Sequence, residues 1–233
     1  MVSYKDERLP WSLSTWDVGE LLLAIPELKD LQNIIEQNDW HNDSALQQSL
    51  RLLDWVKQLP VSLVESIGIA ENLPPTLLTD TVDAESGQHS LKALLGFAAL
   101  IHDLGKASTF RRQSDGTTRC PGHEAVSAHM AQTICTRFDF STVESRFIIA
   151  LVGAHGKPYA LFKKIATQPT PMQLKHISRF ETAHGAHFLP LLLLAIGDLV
   201  TSHLEMIRPA KYQAVFGFYQ DWLVKIWPGK RKM

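Results

Sequence analysis

Apolar residues recur at helical spacing along most of this chain, and no segment of useful length alternates apolar and polar residues as a strand does. In 43–59, for example, Leu46, Leu50 and Leu53 fall on one face of a predicted helix. The same reasoning predicts helices over 16–37, broken or kinked at Pro26, and over 61–70, 89–104, 123–138, 142–155, 159–166, 171–180, 187–206 and 210–227. The chain is therefore predicted to be all-α, with polar loops at 71–88 and 108–122.

The overall charge argues against a large nucleic-acid footprint. A chain of 233 residues with a formal net charge of -1 offers no global attraction for polyanions or anionic membranes. Its two cysteines, Cys120 and Cys135, form neither a CxxC motif nor a disulfide framework, which is typical of a reducing compartment. The N-terminus lacks the apolar core of a secretory signal. We therefore expect a cytoplasmic protein.

The longest apolar run, "FLPLLLLAIGDLV" at 188–200, is too short to span a bilayer and is interrupted by Pro190 and Asp198. We interpret it as a buried core helix and expect no membrane association. The aromatic C-terminal segment "YQAVFGFYQDWLVKIW" fits either the core or a homodimer face, and the core is the default expectation.

Potential metal ligands stand at the ends of apolar helices or within them. His102 and Asp103 end one helix, His123 begins the next after a Pro-Gly turn, and His155 ends a third. Asp198 lies among aliphatic residues of a fourth. Burying such groups is costly unless they are paired. Imidazole and carboxylate together suit a divalent metal ion, which would supply the missing partner.

Each of these residues also has a purely structural interpretation. A lone histidine on an apolar helix is more often a hydrogen-bonded core residue, and Asp198 alone could cap another helix. Their combination in four helices is what favours a metal. Two familiar motifs are excluded. The first is a phosphate-binding loop, because "GKAS" at 105–108 lacks the earlier glycine of that motif. The second is the zinc-protease helix, because the two histidines of "HEAVSAH" are six residues apart and lie on opposed faces of a helix.

Two stretches resemble the HD superfamily of metal-dependent phosphohydrolases: "LIHDLGKAST", with its His-Asp-x-Gly-Lys motif, and "DGTTRCPGHEAVSAHMAQTICTRFDFSTVESRFIIALVGAHGKP". The nearest subtype is the HD domain attached to bacterial CCA-adding tRNA nucleotidyltransferases, whose opening resembles "LLLAIPELKDLQNIIEQNDWHNDSALQQSLRLLD". The resemblance runs from about residue 20 to 203. It implies a single HD-domain helical bundle over 20–206, with an extension at 1–19 and a C-terminal helix at 207–233 packed on the same domain. We expect a stand-alone domain without the nucleotidyltransferase part.

The resemblance also implies a set of site residues. The metal ligands carried over are His102, Asp103, His123, His155 and Asp198, with Mn, Ni, Co, Fe, Zn or Mg as the divalent ion. Asp103 would bridge or orient water as a catalytic carboxylate, and Lys106 would contact substrate phosphate. Apart from the resemblance, Arg111, Arg112 and Lys157 are candidate phosphate contacts because they are basic residues near this motif in the sequence, although exposed basic residues beside a loop more often only face solvent. Glu124 fits either a partner of a histidine ligand or a favourable charge in the first turn of its helix.

One position departs from the family pattern. Gln48, in "LQQSL", stands where the family has its first metal histidine. A glutamine offers only a neutral amide oxygen, so Gln48 would be a weak or lost ligand. His41 and His89 are the candidate replacements, although His41 matches another family position. His89 would lie far from Asp103 along a continuous helix.

The sequence thus predicts hydrolysis of a small phosphoester, with a nucleotide as the expected substrate. The alternative is a degenerate, non-catalytic HD module that binds a nucleotide or a protein partner in signalling, which Gln48 favours. A third, weaker interpretation is hydrolysis related to RNA, against which the near-neutral charge argues.

Overall fold

The computed structural model describes residues 17–38, 40, 43–59, 61–62 and 89–226. Most of the predicted helix at 61–70, the predicted loop at 71–88 and His41 lie outside this part of the chain. The described helices are α1 (Val18–Ala24), a 3₁₀ helix (Pro26–Asn33), α2 (Ala45–Lys57), α3 (Leu91–Ile101), α4 (Lys106–Thr109), α5 (His123–Arg137), α6 (Thr142–Ala154), α7 (Lys157–Ile165), α8 (Thr170–His184), a 3₁₀ turn (Gly185–His187), α9 (Phe188–Val200), α10 (Leu204–Ile207) and α11 (Pro209–Ile226). The prediction of an all-α protein is confirmed.

Serine side chains determine where three of the main helices begin. Ser44, Ser90 and Ser141 each accept a hydrogen bond from a backbone N–H in the first turn of α2, α3 and α6. In α2 and α6 the third helical residue returns the bond to the capping residue, which satisfies a second free donor. These caps lie within two residues of the predicted helix starts.

The core is built around α3 and α9, which are apolar on nearly every side. Every residue from Leu94 to Ile101 is buried, and so is nearly all of α9. Helix α3 packs between α2 and α6, whereas α9 packs against α2, α3 and α11. The stretch Thr170–Val200 is long and apolar enough to cross a membrane by length and composition, yet 56 % of its most apolar window is buried inside the protein. Such burial is typical of a core helix.

Helix α11 covers one side of α9 with aromatic side chains. Tyr219 and Trp222 are buried, and the indole N–H of Trp222 donates to Glu181 Oε1 at 2.9 Å. The Trp222 ring also lies against Phe188 at the start of α9. The described part of the C-terminal helix therefore packs on the same core.

Helix ends differ from the predictions where polar residues interrupt apolar runs. The predicted helix 89–104 ends at Ile101, and 102–105 form a turn. The predicted helix 16–37 divides at Ile25, because Pro26 begins a separate 3₁₀ helix. Within the predicted loop 108–122, β1 (Arg111–Arg112) pairs antiparallel with β2 (Thr118–Arg119). Strands of two residues are too short to produce an alternating pattern.

Candidate metal centre

Two helices end in a histidine that has the same local geometry. His102 follows α3 and His155 follows α6, and each Nδ1 lies 2.7–2.8 Å from the backbone carbonyl three residues earlier, on Ala99 and Val152. The last carbonyls of a helix have no partner within it, so the imidazole N–H satisfies one of them. Because a carbonyl only accepts, Nδ1 must carry a proton, and in a neutral ring Nε2 is then the acceptor.

His123 reaches the same arrangement from a helix start. Its Nδ1 donates to the carbonyl of Cys120 at 2.8 Å, and Gly122, with a positive φ of 73°, turns the chain into α5 just before it. The Nε2 atoms of His123 and His155 then lie 3.1 Å apart. Two unprotonated nitrogens at this distance would point lone pairs at each other, so the pair needs either a proton on one ring, which then donates to the other, or a cation between them.

The buried carboxylate of Asp103 is central to the cluster. Its Oδ2 lies 3.1 Å from His102 Nε2, and its Oδ1 lies 3.2 Å from His123 Nε2 and 3.7 Å from His155 Nε2. Oδ1 is buried without a hydrogen-bond partner of acceptable geometry. A buried carboxylate oxygen of this kind is costly unless an ion or water satisfies it.

The donor set fits a divalent metal ion. Ligand atoms held about 2.1 Å from one ion lie about 3 Å apart when they are at right angles. That separation matches the contacts of Asp103 Oδ1 and His155 Nε2 with His123 Nε2. Ligand atoms of His102, Asp103 and His155 also lie within 4.8 Å of one another. The backbone carbonyls behind the histidines supply the outer contacts that metal-binding imidazoles usually have.

Charge balance in the cluster sets the direction of each pKa shift. Burial opposes charge on Asp103, but His102 and Lys106 outweigh it and hold the Asp103 pKa well below its usual range. Burial likewise opposes protonation of His102 and His123, but Asp103 outweighs it and raises both pKa values. Burial, with His102 nearby, lowers the pKa of His155. Asp103 is thus ionised and positioned to attract a cation.

Asp198, in α9, also lies beside the cluster. Its Oδ1 lies 3.9 Å from His102 Nε2, and it accepts a hydrogen bond of 3.0 Å from Gln48 Nε2. Gln48 is fully buried, and its oxygen accepts from Arg51 at 2.7 Å. The amide oxygen with which Gln48 would bind a metal therefore faces Arg51. His89 lies elsewhere, with its Nδ1 2.7 Å from Glu144 Oε1.

Lys106 is buried between two carboxylates. Its ammonium lies 2.9 Å from Asp103 Oδ2 and forms a short contact with Glu36 Oε2. Both carboxylates together outweigh the effect of burial and raise the Lys106 pKa. The predicted contact with substrate phosphate stays a prediction, and in this structure the ammonium holds Asp103 in place.

The other predicted basic contacts lie away from this cluster. Arg111 and Arg112 are exposed on β1, where Arg111 donates to the carbonyl of Phe110 and Arg112 to Gln37 Oε1. Lys157 is the exposed first residue of α7. None of the three lines the cavity described next. Glu124 does line it, and one of its oxygens lies 3.4 Å from His123 Nδ1.

The cluster opens into a cavity of about 700 Å³. Sequence analysis did not identify several residues of its walls: Glu36, Trp40, Arg119, Tyr159, Lys163 and Lys211. The spacing of Tyr159 and Lys163, one helical turn apart just after His155, indicates that the two residues share the helix face that lines the cavity. No sequence pattern indicates Glu36, because its partner Lys106 is 70 residues away in the chain.

Fold and site together define an all-α protein with a buried histidine–aspartate cluster at the base of a cavity. No protein-family model matches the chain. An A-adding tRNA nucleotidyltransferase from Deinococcus radiodurans is 29 % identical over 139 residues, which cover 59 % of this chain. The matched part is 25 % of that enzyme, so the chain spans about a quarter of its relative's length. The similarity is distant and partial.

Proposed function

We propose that this protein is a metal-dependent phosphohydrolase of the HD type that acts in the cytoplasm on a nucleotide or another small phosphoester. The observation that carries the proposal is Asp103 Oδ1, which is buried without a hydrogen-bond partner and lies 3.2 Å and 3.7 Å from the Nε2 atoms of His123 and His155. These three atoms lie within 3.7 Å of one another, and their residues line the cavity. A divalent ion is the partner that would satisfy all of them.

The residues that would hold the ion are His102, Asp103, His123, His155 and Asp198. A divalent metal supplies Lewis acidity toward a phosphoryl oxygen and makes bound water more acidic. The chain's own contribution is to hold five ligand groups at the ends of four helices or within them, with Nδ1 of each histidine already bonded to a backbone carbonyl. Lys106 keeps Asp103 ionised and oriented without occupying its free oxygen.

Aromatic and basic residues of the cavity lining support a ligand that has both a ring and a phosphate. Trp40 and Tyr159 meet edge to face with ring centroids 4.7 Å apart, and both line the cavity. Lys211 lies over both rings, Lys163 lies over Tyr159, and Arg119 also lines the cavity. Aromatic faces stack on nucleobases and cations attract phosphate, which favours a nucleotide. The distant similarity to a tRNA nucleotidyltransferase is compatible with this choice.

The test begins with the metal content of the purified protein and with hydrolysis of p-nitrophenyl phosphate and bis-p-nitrophenyl phosphate under Mn²⁺, Ni²⁺, Co²⁺ and Mg²⁺. We expect turnover that depends on metal and that Asp103→Asn lowers by about 100-fold or more. Loss of a central charged ligand removes several kcal/mol of stabilisation, and each 1.4 kcal/mol is about tenfold in rate.

The matched control is Asp54→Asn, the same chemical change on an exposed part of α2. It should leave both metal content and turnover unchanged. Absence of bound metal together with absence of metal-dependent turnover in the wild-type chain would contradict the proposal, as would full activity of Asp103→Asn.

A second candidate is a non-catalytic module that binds a nucleotide, and Gln48 is the observation that favours it. An imidazole is missing there, and the amide oxygen of Gln48 is engaged by Arg51. The same experiments separate the two functions. A chain that binds metal and nucleotides but turns over none of the esters or nucleotides would support the binding module.

A further inference from the structure

The side-chain amide of Gln48 has chemically opposite partners at its two ends. Its Oε1 accepts from Arg51 at 2.7 Å, whereas its Nε2 donates to Asp198 Oδ1 at 3.0 Å. A guanidinium only donates and a carboxylate only accepts, so the two partners determine which way the amide points. Because Gln48 is fully buried, water cannot replace either contact.

Arg51 is itself held in place from two sides. Its Nε donates to the carbonyl of Thr201 at 3.0 Å, and its guanidinium forms an ion pair with Asp43. The hydroxyl oxygen of Thr201 also lies 3.2 Å from Gln48 Nε2. This network, Asp43–Arg51–Gln48–Asp198, joins the buried face of α2 to the end of α9, where Asp198 is located.

We propose that Gln48, supported by Arg51, is a positioning residue that holds the Asp198 carboxylate toward His102, and that Gln48 itself does not bind the metal. The inference rests on the proposed metal-dependent function. The amide N–H group takes up one side of Asp198, which limits the rotation of the carboxylate. With its oxygen on Arg51, Gln48 contributes to the centre only through Asp198.

The test is a double-mutant cycle read out as metal affinity. Gln48→Met keeps the size of the side chain but cannot donate to Asp198. We expect it to weaken Mn²⁺ or Co²⁺ binding, measured by titration calorimetry on the full chain, by about 10- to 100-fold, as for other groups that orient a metal ligand. In an Asp198→Ala background the same substitution should change the affinity by less than about twofold, because its target is gone.

Two further variants keep the inference falsifiable if Gln48→Met folds poorly. Arg51→Met, at a half-exposed position, should weaken metal binding in the same direction but by less. Ser49→Ala is the matched control: it is the next residue of α2, equally buried, and its hydroxyl has no hydrogen-bond partner. It should leave the affinity unchanged.

Three results would overturn the inference. They are wild-type affinity in Gln48→Met, an equal loss for Gln48→Met with and without Asp198, and tighter binding in Gln48→Glu, which is expected only of a direct ligand. Failure of the proposed hydrolysis can be distinguished from failure of this inference. A wild-type chain that binds metal without turnover contradicts the hydrolysis, but the double-mutant cycle can still be measured because its readout is metal affinity. A wild-type chain that binds no divalent metal would overturn both proposals.

Discussion

The three histidines of the cluster, His102, His123 and His155, are oriented by the same kind of hydrogen bond. Each donates its Nδ1 proton to a carbonyl three residues earlier, and each presents Nε2 to Asp103. The contact is local, so a histidine at a helix boundary acquires its tautomer from the adjoining backbone. The arrangement is ready before any ligand arrives, which lowers the cost of ordering the side chains on binding.

His89 is a buried histidine with a different role, and its protonation is coupled to folding. Burial lowers the pKa of His89 although Glu144 lies 2.7 Å from its ring. The folded state therefore favours the neutral ring, whereas a histidine in the unfolded chain has a pKa of about 6.5. The corresponding stability is fully present above about pH 6.5 and is lost as the pH falls below it.

We expect His89→Gln, which can still donate to Glu144, to flatten the loss of stability between about pH 6.5 and pH 5. The measurement is the free energy of unfolding by urea across that range, compared with wild type in the presence of a chelator. His129→Gln, which changes an exposed histidine, serves as the control. Parallel pH profiles for wild type and His89→Gln would contradict this assignment.

The contact between α4 and α5 depends on the absence of a side chain at Gly105. Its backbone is helical, with φ of -63°, so the glycine is not needed for a left-handed turn. A Cβ there would lie 2.3 Å from the carbonyl of His123 and 2.8 Å from the N atom of Ser127. The Gly105 N–H also donates to Ser127 Oγ at 2.9 Å. The close approach of the Gly105 backbone to the first turns of α5 therefore places the start of α5 beside Asp103.

Gly105→Ala should push α5, and His123 with it, away from the cluster. We expect a loss of about 1–3 kcal/mol in the free energy of unfolding, the usual cost of overpacking, together with weaker metal binding. Gly217→Ala, in α11 with nothing near the added Cβ, is the control and should preserve or raise stability. Unchanged stability and affinity in Gly105→Ala would show that the two helices can separate without cost.

Four helices of the bundle contribute candidate ligand groups to the cluster. They are α3, α5, α6 and α9. Asp103 Oδ1 is buried there without a hydrogen-bond partner, which costs stability unless a cation or water satisfies it. A metal that binds only the folded state therefore stabilises the entire domain.

At a metal concentration 100 times its dissociation constant, we expect about 2.7 kcal/mol of added stability. For a protein of this size that corresponds to a rise in Tm of roughly 5–10 °C, and excess EDTA should reverse it. Differential scanning calorimetry of wild type and Asp103→Asn checks this. An equal rise in the variant would place the stabilising ion at another site.

The secondary structure was largely predictable from the amino-acid sequence. The periodicity predicted the helical class, and the helix starts observed after Ser44 and Ser141 depend on hydrogen bonds that span only three residues. The predicted helix ends were less accurate: the turn after Ile101 includes Gly105, which contacts α5 through residues that are 18 to 22 positions further along the chain. The predicted ligands lie around one cavity, but their binding of a metal stays a prediction.

By itself the sequence determined an all-α protein with His102, Asp103, His123 and His155 at helix boundaries, because helix periodicity and capping are local interactions. Only the tertiary structure decided the partners of the buried polar groups. Gln48 meets Asp198 across 150 residues of chain, and Lys106 meets Glu36 across 70. Such pairs form only once apolar burial has packed the helices together, and no local pattern in the chain encodes them.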